Sequence, residues 1–265
     1  MKLAVSQIAW PPAEDEAAHA LLRRKGVGLI ELAPPRRWPD PRLESNGASE
    51  RWRLELEQQG LRPVALQALL FGRPELKVFD SKTARSCIDY LKAIIRLAAG
   101  LGPVALVFGS PQNRARGDLP PDEARRRAIP FFAELGEYSA LHGVKFCLEP
   151  NPPHYGCDFL TTAQEVIAFL REAQTSGLFL QVDVGAFSLN GEDPAVIIAE
   201  AGELIGHTHA SEPHLATFDH PLGSHAAVAQ ALNDVAYEGA VSIEMKSDGL
   251  EALETAIDYV AEVYT

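Results

Sequence analysis

LFLQVD, residues Leu178–Asp183, is a short apolar run that ends on a carboxylate. Three other runs in the second half of the chain have the same form: VKFCLE (Val144–Glu149), LIGHTH (Leu204–His209) and GAVSIE (Gly239–Glu244). An apolar strand rarely carries an acid or imidazole without a partner, because burying such a group uncompensated is costly. Taken singly, each has a plain reading. Glu149 or Glu244 alone is a strand-end carboxylate paired with a base, Asp183 a turn cap, and His209 a hydrogen-bonded core histidine. Four such endings at the same point of successive strands converge if the strands are parallel and closed into a barrel. Three carboxylates and one imidazole then make a hard-oxygen site with one nitrogen ligand, suited to Mn, Mg, Co or Zn.

Outward from these runs, the hydrophobic period alternates along the whole chain. Short β-rich runs fall at Lys2–Ala9, Val27–Leu32, Pro63–Leu70, Val104–Phe108, Val144–Leu148, Leu178–Val182, Leu204–Thr208 and Ala240–Ile243. Helical spacing separates them at Glu14–Lys25, Thr83–Ala99, Asp122–Leu141, Ala163–Ala173, Ala226–Val235 and Leu250–Val263. Strand alternating with helix signals βαβ units and a parallel sheet. Glycine stands before most strands, at Gly26, Gly60, Gly102, Gly143, Gly177 and Gly239, where helix C-caps are expected. Thr162 with Glu165, and Asp248 with Glu251, read as helix-capping pairs. Pro130 is expected to kink or divide its helix, and Pro34–Pro41 to form a long loop over the barrel mouth. The pattern predicts a (β/α)8 barrel. A doubly wound sheet is the alternative, but no Gly-rich turn follows the first strand.

The 265 residues suit a single barrel domain over 1–265, since such barrels take about 250 residues. A hydrophobic fraction of 46% is enough to fill a core. No run approaches the ~20 apolar residues of a membrane span, and MKLAVSQIAW lacks the form of a signal peptide. Three cysteines with no CxxC spacing argue against a disulfide framework and fit a reducing cytoplasm. A net charge of −12 disfavours nucleic acid, so neither nucleic acid nor membrane is an expected partner. Homo-oligomer formation stays open.

In such a barrel the active site lies at the C-terminal strand ends, where all four candidate ligands sit. Period-2 alternation also turns His207, Gln181, Ser242, Lys145 and Lys246 inward. Secondary candidates for substrate contact are Glu31 and Gln67 on the second and third strands, and Asn113 and Arg114 after the fourth. His207 and Lys246 join them, with Trp10 and Trp38 as an apolar wall. Each has a packing alternative. Glu212, His214 and His225 are considered only as lid contacts.

LEPN (Leu148–Asn151), QVDVG (Gln181–Gly185), GHTHASE (Gly206–Glu212) and SIEMK (Ser242–Lys246) resemble the xylose isomerase-like superfamily of metal-dependent TIM barrels, in that family's order and spacing. The superfamily includes sugar phosphate isomerases and epimerases, ketose 3-epimerases, hydroxypyruvate isomerases, inosose dehydratases and endonuclease IV. The resemblance implies that Glu149, Asp183, His209 and Glu244 are the metal ligands, and that Glu149 and Glu244 are the acid–base pair. Two positions depart from the epimerase pattern: Ala186 replaces a histidine three residues after the aspartate, and His214 and Leu215 stand where an arginine is usual. The strand ends LLFG and VFGS lack the extra ligands of endonuclease IV.

The implied chemistry is isomerisation or epimerisation of a small sugar or hydroxy-carbonyl compound through a metal-bound enediolate. A lyase or dehydratase acting on a keto-sugar or inosose uses the same intermediate and remains an alternative. So does a non-catalytic metal- or sugar-binding barrel.

Overall fold

A computed structural model describes residues 1–45, 47–102 and 104–265. Eight strands form a closed parallel barrel in sequence order: β1 (Lys2–Ser6), β2 (Leu29–Leu32), β3 (Arg62–Leu66), β4 (Ala105–Phe108), β5 (Lys145–Leu148), β6 (Leu178–Asp183), β7 (Ile205–Ser211) and β8 (Ala240–Glu244). Closure runs through β1, where Ala4 pairs with Leu29 on one side and Ser242 on the other. Strands buried on both faces read as near-continuous apolar runs, as in the ALVF of β4. The (β/α)8 expectation is met.

Around the barrel lie α1 (Asp15–Arg24), α2 (Gly47–Gln58), α3 (Ala84–Ala99), α4 (Pro121–Leu141), α5 (Ala163–Ala173), α6 (Val184–Asn190), α7 (Pro194–Ala201), α8 (His225–Asp234) and α9 (Gly249–Tyr264). In α3 the buried Cys87, Leu91, Ile94 and Ala98 form one helical stripe against the sheet. Between sheet and helices the rings of Phe108, Phe132, Phe146 and Phe169 pack at centroid distances of 5.4 to 5.8 Å. Inside the barrel the side chains are smaller: Ala65, Ala105 and Cys147, with Phe179 against them. Lys145 and Gln181 follow the same inward parity, Lys145 at the N-terminal end with its ammonium 5.1 Å from the Phe179 ring centroid.

Several local expectations need correction. Pro130 does not divide α4, which runs from Pro121 to Leu141 around it. Thr162 caps α5 by accepting from Glu165 N, but the Glu165 carboxylate reaches Thr161 N instead of the cap residue's own amide. Asp248 makes no side-chain cap bond to α9. The segment Pro34–Pro41 is not an open loop over the mouth: it includes a short 3-10 turn at Pro34–Arg36, and Trp38 buries itself edge-on against Trp52 of α2. Helices α2, α6 and α7 were not anticipated. They are short or bury only a few residues, so their apolar period is weak.

Four of the six pre-strand glycines, Gly26, Gly60, Gly102 and Gly143, take positive φ as C-caps should. Gly177 serves a different purpose. A Cβ there would stand 1.8 Å from the carbonyl oxygen of Gly136, because α4 lies backbone to backbone against the segment that starts β6. No rotamer relieves a clash with backbone. Gly177→Ala should therefore cost about 2 kcal/mol or more of unfolding free energy, read as a lower urea midpoint with unchanged slope.

Candidate metal centre

Four strand ends bring four side chains together at the C-terminal mouth. Asp183 closes β6 and Glu244 closes β8, while His209 lies within β7. Glu149 follows β5 and continues its ladder, donating its amide to Phe108 O. One ligand atom from each of the four lies within 4.8 Å of every other. His209 Nδ1 is 3.1 Å from Glu244 Oε2, 3.3 Å from Glu149 Oε1 and 3.7 Å from Asp183 Oδ2. This nitrogen is buried, yet it has no aligned hydrogen-bond partner. Three oxygens and an unclaimed nitrogen from four separate strands suit a divalent ion, and these residues fit one.

The neighbours hold three of the four in place. Asp183 Oδ1 accepts from Ala186 N at the start of α6, and its Oδ2 accepts from Ser211 Oγ at 2.7 Å. Ser211 Oγ in turn accepts from Gly185 N. Glu149 Oε2 accepts from Asn151 Nδ2 at 3.1 Å. That oxygen lies 2.2 Å from where a Cβ would stand at Gly109, so a side chain after β4 would have to displace the Glu149 carboxylate. His209 Nε2 lies 3.1 and 3.2 Å from the two oxygens of Glu31. Glu244 Oε1 takes no hydrogen bond from the described residues.

Charge follows from this geometry. Burial raises the Glu244 carboxyl, His209 opposes that, and the charges of Glu149 and Asp183 add to it; the result is about 7. Burial disfavours the His209 imidazolium, but Glu244 and Glu31 outweigh it and hold the ring well above its ordinary value. Burial also resists ionisation of Glu31, yet His209 and His207 keep its carboxyl well below the usual range. His207 is lowered, chiefly by burial.

The secondary candidates divide. Gln67 lines the mouth, its amide donating to Ser6 Oγ. His207 sits one step deeper than His209, 3.2 Å from Ser242 Oγ and 2% exposed. Glu31 is fully buried with both oxygens on His209, which corrects its assignment to sugar hydroxyls. Asn113 spends its amide on the carbonyls of Arg73 and Leu76. Arg114 is buried and clamps the end of β5, donating to Glu149 O and Leu160 O, with no carboxylate bridge among the described residues. Trp10 bonds Asp15 and Trp38 packs on Trp52, each only 2% exposed, so neither walls the mouth. Lys246 is exposed and forms no ion pair with Glu244 among the described residues. Glu212 and His225 are not lid contacts: they form a buried pair at 2.7 Å, with Glu212 also accepting from Leu222 N and Gly223 N.

Two residues escaped the sequence reading. Ser211 is the next inward position after His207 and His209, so the same period-2 step carried forward finds it. Tyr155 has no such signal. Its hydroxyl accepts from His214 N at 2.9 Å, tying the β5 loop to the β7 loop. Burial and the charges of Asp183, Glu244 and Glu149 push that phenol up to about 12.

The sequence pattern of the xylose isomerase-like TIM barrel family matches residues 19–263. The chain belongs to that family. An L-ribulose 3-epimerase of Mesorhizobium japonicum is 25% identical over 234 residues, which is 87% of this chain and 75% of the relative. The D-psicose 3-epimerase of Clostridium cellulolyticum H10, solved with D-tagatose, superposes with a TM-score of 0.83 at 15% identity, covering 100% of this chain and 99% of its own. The IOLI protein, solved with a zinc atom, superposes at 0.74 with 19% identity over all of both chains. No helix among the described residues of this xylose isomerase-like barrel is long and apolar enough to cross a membrane.

Metal uptake should release protons. Both Glu244, near 7, and His209, above its ordinary value, hold protons at neutral pH that a cation must displace. Affinity should rise with pH between 6 and 8, by about tenfold per pH unit for each proton released. Calorimetric titration with Mn2+ in buffers of different ionisation enthalpy measures that number; a pH-independent affinity would contradict the assignment.

Proposed function

We propose that the chain is a divalent-metal-dependent epimerase or isomerase of a small carbohydrate, with Glu149 and Glu244 as its acid–base pair. The observation that carries this reading is the convergence of Glu149, Asp183, His209 and Glu244 on one point at the barrel mouth. The 3-epimerase relatives support a ketose, inverted at the carbon beside its carbonyl. The four side chains would hold the ion, with Mn, Mg, Co and Zn all compatible with the donor set.

When bound there, such an ion would polarise a carbonyl and its neighbouring hydroxyl and so acidify the C–H bond of the hydroxyl-bearing carbon. The rest falls to the protein. Glu149 and Glu244 rise from β5 and β8, three strands apart in a barrel of eight, and so approach a bound ketose from nearly opposite walls. One carboxylate takes the carbon-bound proton and the other delivers a proton to the opposite face. Their roles exchange for the reverse reaction. Glu244 Oε1, with no hydrogen bond to hold it among the described residues, suits a proton carrier. Glu149 is restrained by Asn151, which leaves one oxygen oriented toward the mouth. Ser211 and Ala186 N fix Asp183 in a purely supporting place.

Glu149→Gln and Glu244→Gln should each lower turnover by at least about a hundredfold, even with Mn2+ in excess. Incubation of the unaltered protein with a panel of ketoses, inososes and 3-keto sugars in D2O tests the reaction class. Deuterium at the carbon beside the carbonyl supports proton transfer. Loss of water identifies a lyase, and no change with any compound leaves a binding protein.

A further inference from the structure

Glu31 has no path to a substrate. It is fully buried on β2, across the barrel from the strands that supply the four candidate ligands. Both of its oxygens face one atom, His209 Nε2, at 3.1 and 3.2 Å and in hydrogen-bond alignment. Its other neighbour is His207 Nε2 at 3.7 Å, and that nitrogen already meets Ser242 Oγ. No lysine or arginine pairs with Glu31 among the described residues. A carboxylate buried this deeply is costly unless its one partner needs it.

Neutral imidazole carries a proton on one nitrogen and a lone pair on the other. Once a cation displaces the second proton of the ring, a hydrogen bond from Nε2–H to Glu31 leaves the lone pair on Nδ1, the atom that stands among Glu149, Asp183 and Glu244 without an aligned partner of its own. The same bond fixes the plane of the ring. We propose that Glu31 is a positioning residue that locks His209 in the tautomer and orientation needed to bind a divalent ion, and that it touches neither ion nor sugar. This rests on the metal-centre reading above. Glu31, His207 and His209 also lie close enough together to serve as a second cation site. The aligned Nε2–H bond argues against that use, because it leaves Nε2 no lone pair to offer.

The test compares the unaltered chain with Glu31→Gln and Glu31→Ala by Zn2+ calorimetry and by long-range proton–nitrogen NMR of 15N-histidine protein. The unaltered chain should bind one ion and show a His209 ring with Nδ1 on the metal and a slowly exchanging, strongly downfield Nε2–H. Glu31→Ala should weaken Zn2+ binding by about 10- to 100-fold and lose that proton signal. Glu31→Gln preserves an acceptor and the volume, so it should fold by circular dichroism, with a smaller loss of affinity and an upfield shift of Nε2–H. At saturating metal, KM for any ketose that turns over should stay within about twofold of the unaltered value. Unchanged affinity and NMR signals in both variants would overturn the inference while leaving the metal centre intact. Two ions per chain would also overturn it, making Glu31 a ligand; a raised KM with unchanged affinity would make it a substrate contact. Failure of the unaltered chain to bind any ion would remove the metal-centre reading, and this one with it.

Discussion

One imidazole holds the mouth of this barrel together. His209 is completely buried and has carboxylates on both sides: Glu31 at Nε2, and Glu149, Asp183 and Glu244 around Nδ1. Four acids around one base cannot all ionise in a desolvated space, so a proton or a cation must supply the missing charge. Burial alone would have selected apolar residues here. An arrangement that raises the energy of the folded chain at one spot, while Phe108, Phe132, Phe146 and Phe169 pack ring against ring between sheet and helices, is the pattern expected of a functional site carried by a stable scaffold.

Support is distributed unevenly over the four candidate ligands. Asp183 is bonded through both oxygens, His209 through Nε2, and Glu149 through Asn151 and the space left by Gly109. Below Glu149, Arg114 fastens its carbonyl to the following loop. Among the described residues Glu244 has only His209 beside one oxygen. Three rigid groups and one looser one make physical sense if an ion must be held while a proton moves: the rigid groups keep the geometry, and the looser carboxylate, already raised to about 7, changes its proton at little cost.

The barrel and its four converging ends were legible because both depend on local pattern. Alternating periods imply parallel strands, parallel strands put their C-termini on one face, and period-2 parity separates inward from outward side chains. Depth was not legible. Trp10, Trp38, Asn113 and Arg114 all carry chemistry suited to a pocket, but each is spent on a neighbour: Trp10 on Asp15, Trp38 on Trp52, and Asn113 and Arg114 on backbone carbonyls 35 to 46 residues away. Glu31 was placed on the correct strand and the correct face, yet its partner is 178 residues distant, so the contact depended on closing the barrel through β1 and β8 to bring β2 toward β7. Helix α6 was missed for a related reason. Its seven residues have no amphipathic stripe, and what starts it is Asp183, a residue whose capping bond and candidate ligand role share one side chain.

The two halves of the mouth also differ in what they carry. Strands β5 to β8 carry Glu149, Asp183, His209 and Glu244 at or next to their C-terminal ends, and the loops after β5, β7 and β8 are tied together. Tyr155 accepts from His214 N, and Lys246 N donates to Leu215 O. His214 and Leu215 take positive φ to make these links, a conformation that side chains other than glycine adopt at a cost. Opposite them, β1 ends in Ser6 and β4 is followed by Gly109, with Gln67 drawn down onto Ser6. The four candidate ligands thus gather on one half of the rim, while positive φ recurs on both halves, at His214 and Leu215 after β7 and at Ala68 and Ser110 after β3 and β4.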